Sequence, residues 1–593
     1  MRLVEVRPLE GPNVYRLAPV VKLEVAVGRR RTWYGQREPA HHARVRLGAA
    51  VSATEWPDGV AAIAAWVRRL RTDHRDGTAG LAVHRTSEPG HWIVTWPMAS
   101  VERGRAIAEA AFALAERDVS PARRATLTGA QSRLLERHTA AIASASPAGP
   151  TWIRDAERRT PIVSISGTNG KSTVTRLITH ILVLAGRHVG TTTSDGILVD
   201  ERMVEEGDWT GPGGAARILE RHDVDVAVLE TARGGIMLKG VGYESNDASV
   251  LTNVSSDHLD LQGIHTLPEL AEVKATIARM TKRDGWAVLN GDDRYVVAAG
   301  RGLRARVAYF SLDGESSAAV RRHRARGGRA YLLRRGALVE VDGADNATRE
   351  IARVREIPIT IGGLARHNVA NALAAAGAAR ALGATIAEVG RGLIDFRPSI
   401  DRSPGRLNIF RLGARLVIVD FAHNEAGIAA LLDVAEGIAG GAAGRAAPIT
   451  AIIGTAGDRP DDTLRGIGRI AAQRAQRAQR VVVKETGKYL RGRSRESVVG
   501  ELMAGVKAGG ATIADVPVYP SETAALRAEL NGAGGKIGAG SGAKPDAPRI
   551  VVLMCQEDRE GVFRLLTELG ARPVDVASEL TALVPRLQDR EGS

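Results

Sequence analysis

Ile162-Val-Ser-Ile-Ser166-Gly167-Thr168-Asn169-Gly170-Lys171-Ser172-Thr173 decides how the middle of this chain folds. A short, largely apolar run enters a glycine loop, and helical spacing follows from about Lys171 to Ala185. A strand that passes through such a loop into a helix brings backbone N–H groups and the positive helix end to one spot. Phosphate oxygens are stabilised there. Lys171 is placed to reach the terminal phosphates and the Ser172 hydroxyl to bind Mg²⁺. The longer phosphate-loop pattern has a glycine five residues before Gly170; Ile165 stands there, so this loop is a shorter variant.

Outward from this stretch, Val226–Glu230 and Ala248–Thr252 read as further buried strands between helical patterns. This alternation predicts a mostly parallel sheet with helices on both faces. Polar residues gather at the predicted strand ends. Thr191-Thr-Thr-Ser-Asp195-Gly196 offers hydroxyls and an acid that could meet a phosphate or a metal. Glu230 ends a buried strand, where a carboxylate is costly unless paired or metal-bound. Asn253-Val-Ser-Ser-Asp257-His258 ends the next. Glu230 and His258 at the ends of successive strands suit a Mg²⁺ site beside the phosphates.

From about Pro404 the alternation starts again, with Leu416–Asp420, Ile449–Ile453, Val481–Val483 and Ile550–Leu553 as strands of a second, Rossmann-like α/β domain. Residues 1–150 read as a small α+β unit, with strands at Leu3–Val6, Lys22–Val25 and His91–Trp96 and helices at Gly59–Leu70 and Arg103–Arg117. Ser144–Pro150 reads as a linker. The expected organisation is an N-terminal α+β substrate-docking domain over 1–150, a phosphate-loop parallel-sheet ATP-binding domain over 151–403 and a C-terminal α/β domain over 404–593. Asn531–Pro548 and Ala439–Ala447 are Gly- and Ala-rich and predict loops. The arginine-dense Arg321–Arg335 predicts a solvated hairpin.

The 593 residues are 44 % hydrophobic and 25 % charged, ordinary values for a globular chain that buries several cores. Aromatics are 4 %, too few for a base-stacking platform, so no nucleic-acid partner is expected. The lone Cys555 excludes a disulfide framework and a cysteine-rich zinc site and fits a reducing, cytoplasmic setting. The opening residues lack the order of a signal peptide, and the sequence has no apolar run long enough to span a membrane. Net charge is +14, carried by arginine; there are ten lysines. A lysine in such a chain marks a place where an amine does what guanidinium cannot.

These motifs together resemble the ATP-dependent Mur ligase family, and within it the Mur-like part of cyanophycin synthetases. The resemblance rests on Gly167–Thr173, Thr191–Gly196, Leu229–Gly235, Asn253–Leu261, Val273-Lys274, Gly363–Leu373, Pro404–Asn408, Asp420–Asn424, Gly457-Asp-Arg459 and Leu490–Arg493. They span about residues 160–500. It implies an ADP-forming carbon–nitrogen ligase: a carboxylate is activated as an acyl phosphate and an amine attacks it. It further implies that Gly167, Thr168, Asn169, Gly170, Lys171, Ser172 and Thr173 hold ATP phosphates, that Ser172 and Glu230 bind one Mg²⁺, and that His258 and a carbamylated Lys274 support a second. Lys171, His258 and Lys274 are the implied catalytic set. Asn371 is implied to contact adenine, and Arg406 and Asp420 to meet phosphate and ribose after domain closure.

Cyanophycin synthetases carry an ATP-grasp domain between their N-terminal region and their Mur-like part; here the linker runs straight into the Mur-like strand. The resemblance therefore implies amino-acid addition to a carboxylate-bearing peptide or acidic polymer, with a separate ATP-grasp enzyme as a partner. The alternative is a non-catalytic ATP-binding subunit or scaffold for such an enzyme. Phe421 and Glu425 stand where the family often has Tyr and Pro.

Overall fold

The computed structural model describes residues 1–28, 47–119, 121–122, 127–256, 259–343, 345–441, 447–475, 480–531, 549–576 and 579. Three sheets organise them. The first 150 residues hold a four-stranded antiparallel sheet in the order Arg2–Leu9, Val20–Ala26, His91–Pro97, Ala82–Arg85. Helices Asp58–Asp73, Val101–Glu116 and Gly129–Ser144 accompany it, and Trp66 and Trp96 are fully buried in this core.

The central sheet has eleven strands. Seven are parallel, with Ile162–Ser166 between Val226–Glu230 and Asn246–Leu251; two antiparallel strands close each edge. All five residues of Ile162–Ser166 are buried, as covering on both faces demands. From this strand the chain steps to Val189–Thr192, returns to Val226–Glu230, and then crosses to Asn246–Leu251 on the far side. That reversal opens a crevice at the carboxyl ends of the strands, and the glycine loop lies at its mouth.

The alanine-rich helix Arg366–Ala381 packs against Lys171–Leu184 and the sheet. Its small side chains allow the close approach: a methyl group on Gly377 would lie 2.7 Å from Val288 Cγ1. The arginine-dense stretch differs from the expected hairpin. It forms a helix, Ala318–Arg324, then the strand Arg329–Arg334, which pairs with Ala337–Val341.

The C-terminal sheet has seven strands in the order Val518–Tyr519, Arg480–Lys484, Ile449–Ile453, Arg549–Met554, Arg415–Asp420, Asn408–Leu412, Arg572–Pro573. The first five are parallel. Of the two loops expected from composition, 442–446 and 532–548 lie outside the described residues, and helix Glu425–Gly441 takes up the start of the first. No helix is long and apolar enough to cross a membrane among the described residues.

Candidate active site

The glycine loop is built so that its carbonyls face inward. Gly167 O accepts from Lys274 Nζ at 2.7 Å and Thr168 O from Lys171 Nζ at 2.9 Å. Asn169 O accepts from Thr252 Oγ1 at 2.7 Å and Asn253 Nδ2 at 3.0 Å. Gly170, at φ +86°, makes the left-handed turn into helix Lys171–Leu184. The first N–H groups of that helix have no intrahelical acceptor and point into the crevice.

Glu230, at the end of its strand, is 3 % exposed. Its Oε2 has no hydrogen-bond partner among the described residues. Burial pushes its carboxyl above the usual range, opposed by the charge of Lys171 and the hydroxyl of Ser172. A buried carboxylate with an orphaned oxygen beside a serine hydroxyl is a donor pair that fits a divalent cation. Ser172 is buried and Thr173 follows it in the first helical turn. Asn371 lies against Gly170, where a methyl group would come within 2.3 Å of its Oδ1, and its Nδ2 donates to Asn368 Oδ1 at 3.0 Å.

The C-terminal sheet delivers its own residues to this loop. Arg406 Nη2 lies 3.4 Å from Ser172 Oγ, and its guanidinium stacks 4.4 Å above the Phe421 ring. Burial lowers the Arg406 guanidinium below its ordinary value, against the opposing pull of Asp195 and Asp420. Asp420 Oδ2 accepts from Leu407 N at 2.9 Å, which fixes the turn carrying Arg406; Leu407 is held at φ +50°. Asn424 exchanges amide contacts with Asn169, its Nδ2 donating at 3.0 Å. Arg406, Asp420 and Asn424 thus gather around a loop more than 200 residues away in sequence.

Lys274 ends the helix Leu267–Lys274, whose Thr266 cap and Glu269 form a reciprocal capping box. It is 5 % exposed, and the nearby Glu272 pairs with Arg279. Asp195 differs from expectation. Neither phosphate nor metal is needed to satisfy it: Arg176 Nη2 lies at 2.9 Å and Arg559 Nη2 at 2.7 Å. Burial alone would raise its carboxyl, but Arg406, Arg559 and Arg176 hold it below the ordinary range. Arg559 was not visible to sequence reasoning, because nothing local marks it. His258 lies outside the described residues.

Around the loop, among the described residues, Lys171, Arg176, Arg406 and Arg559 face the carboxylates of Asp195, Glu230 and Asp420. The surplus positive charge in a buried crevice suits a polyanion such as a nucleoside triphosphate.

The chain matches the model of the Mur ligase middle domain over residues 165–379 and that of the Mur ligase glutamate ligase domain over 405–537. Together the two segments take up more than half of the sequence. The chain belongs to the Mur ligase family. It is 42 % identical over 315 residues to a cyanophycin synthetase of Nostoc sp., covering 53 % of this chain and 34 % of that protein. A UDP-N-acetylmuramyl-tripeptide synthetase of Deinococcus radiodurans is 26 % identical over 430 residues, covering 71 % and 77 %. Among solved structures, a folylpolyglutamate synthase/dihydrofolate synthase from Yersinia pestis superposes with a TM-score of 0.48 at 17 % identity, over 69 % of this chain and 89 % of that one. The matched part is about a third of the length of the cyanophycin synthetases.

Proposed function

We propose that this Mur ligase family chain is an ATP-dependent, ADP-forming ligase that joins an amino acid to a carboxylate on a peptide or acidic polymer. The observation that carries this reading is Arg406: a guanidinium from the C-terminal sheet seated 3.4 Å from the Ser172 hydroxyl of the glycine loop, with the orphaned Glu230 oxygen in the same crevice. A two-domain closure of this kind surrounds a phosphoryl group with positive charge from both sides.

In the reaction, a substrate carboxylate oxygen attacks the γ-phosphorus of ATP and ADP leaves. The amine nitrogen then attacks the acyl carbon, and phosphate departs with the C–O electron pair. Loop N–H groups and Lys171 bind the phosphates. Arg406 compensates the charge that develops on the transferred group, and a positioned charge of this kind is worth about 3–4 kcal/mol in the transition state. Closure excludes water, so the acyl phosphate meets the amine before hydrolysis. Ser172 and Glu230 would hold Mg²⁺, which would supply neutralisation of the phosphate charge. Lys274 as a carbamate would, together with His258, supply ligands for a second Mg²⁺. Asn371 would face the adenine and Asp420 the ribose. The N-terminal sheet would dock the acceptor, and a separate ATP-grasp enzyme would supply it, both in the cytoplasm.

The test is ADP release, measured over the set of amino acids with peptides and an aspartate-rich polymer as acceptors. Release that requires one amine and one carboxylate supports a ligase. Tight ATP binding with no release for any pair would instead favour the scaffold.

A further inference from the structure

Arg559 lies at the start of helix Arg559–Glu568, outside the residues matched by either family model. Two of its nitrogens do different work. Nη2 reaches Asp195 of the central sheet at 2.7 Å, and Nη1 donates to Pro404 O at 3.0 Å. Its stem packs on the turn that carries Arg406: a methyl group on Gly405 would lie 2.8 Å from Arg559 Cδ. On the other side, Arg176 grips Asp195 and also donates to Arg402 O at 2.8 Å, just before the turn. Asp195 therefore pairs with the two arginines that bond the carbonyls of Arg402 and Pro404, at the start and middle of the turn that carries Arg406.

Arg559 itself is placed by a second buried carboxylate. Glu522, 1 % exposed, accepts from Gln556 N at 2.7 Å, Glu557 N at 3.0 Å and Asp558 N at 2.9 Å, the three residues that lead into Arg559. Its charge is matched by the equally buried Lys484 Nζ at 2.7 Å.

We infer that Arg559 is a positioning residue. Its fork joins Asp195 to the Pro404 carbonyl, latches the C-terminal sheet onto the central one, and thereby sets Arg406 against Ser172. The consequence for phosphoryl transfer rests on the ligase reading above; the latch itself does not. A lysine at this place has one ammonium and cannot present the same fork.

Interdomain distance tests the latch without a substrate. Donor and acceptor dyes on Glu220→Cys and Lys507→Cys, both exposed, report the separation of the two sheets by single-molecule energy transfer, while Cys555 is buried. The nucleotide-free protein should show a predominant closed population. Arg559→Met and Asp195→Asn should each reduce it at least threefold, and combining them should give less than the sum of the two, since the Arg559–Asp195 ion pair is lost in each. Arg559→Lys should fall closer to Arg559→Met than to the unaltered protein. An unchanged distribution in both single variants overturns the latch, as does a fully additive double variant. If Arg559→Met melts the C-terminal sheet, Asp195→Asn, which alters only the central sheet, decides alone. Mg²⁺ with a non-hydrolysable ATP analogue is titrated in parallel: failure to bind the unaltered protein removes the ligase reading and leaves the latch result standing.

Discussion

Gly167 and Gly170 have no room for a side chain. At φ +154° and +86° both occupy backbone that glycine favours, and a methyl group on Gly167 would lie 1.8 Å from Thr252 Oγ1. Gly167→Ala should weaken binding of a non-hydrolysable ATP analogue by about tenfold or more, close to 1.4 kcal/mol, in calorimetric titration. Equal affinity would mean that the loop does not form the phosphate cradle. Lys171→Ala should leave the melting temperature within a few degrees while cutting ATP turnover by about two to three orders of magnitude, the loss expected for a charge that follows developing phosphate negativity. Near-normal turnover in the folded variant removes Lys171 from that role. Lys274→Ala should lose ligase activity, and acetate added to the assay should restore part of it if a carbamate anion is what the site requires. The loop residues were legible in the sequence because Gly167, Gly170, Lys171 and Ser172 fall within six positions between a strand pattern and a helix pattern, whereas Lys274 was marked only by the family resemblance. Arg559 was not, since its partner Asp195 is 364 positions away and neither sits in a glycine loop.

At the scale of elements, polar residues at strand ends decide where the helices that follow are held. Lys484 ends one parallel strand, and Glu522 opens a helix after an intervening helix and strand; both side chains are fully buried. Separately, either residue would read as a surface charge on an ordinary α/β domain, which is why sequence patterning located the strands and missed the pair. Burial would raise the Glu522 carboxyl, but Lys484 and the loop N–H groups pull it down to about 2. A carboxyl depressed in the folded state stabilises above its ordinary value near 4.5 and loses that contribution as pH falls through the depressed one. Glu522→Gln leaves the Lys484 ammonium buried without its counter-charge, so the cost near neutral pH should be about 3–5 kcal/mol. The gap in unfolding free energy between the variant and the unaltered protein should narrow between about pH 4.5 and pH 2. A gap that stays constant across that interval would show that Glu522 is not ionised in the fold.

Across the whole molecule, the N-terminal sheet is joined to the machinery around Lys274 rather than tethered by the 144–150 segment alone. Glu10 N donates to Lys239 O at 2.7 Å and Val241 N to Pro12 O at 2.8 Å. At a second contact, His265 lies 3.1 Å from Glu88 Oε1 and 2.7 Å from Asp260 Oδ1. The next residue, Thr266, caps the helix that ends in Lys274, and Lys274 in turn holds Gly167 O. The N-terminal sheet is thus connected through His265, Thr266 and Lys274 to the glycine loop. Burial would lower the His265 imidazole, yet its bonds to Asp260 and Glu88 raise it above the ordinary 6.5. A raised histidine stabilises fully below its unfolded value and ceases to do so as pH climbs through the raised one. Amide exchange in residues 259–266, corrected for intrinsic rates, should therefore be slower at pH 6 than at pH 8.5 by several-fold, and Glu88→Gln should shrink that difference. The same pH difference in Glu88→Gln would show that Asp260 alone holds the imidazole and that the N-terminal sheet does not reach the Lys274 helix through His265.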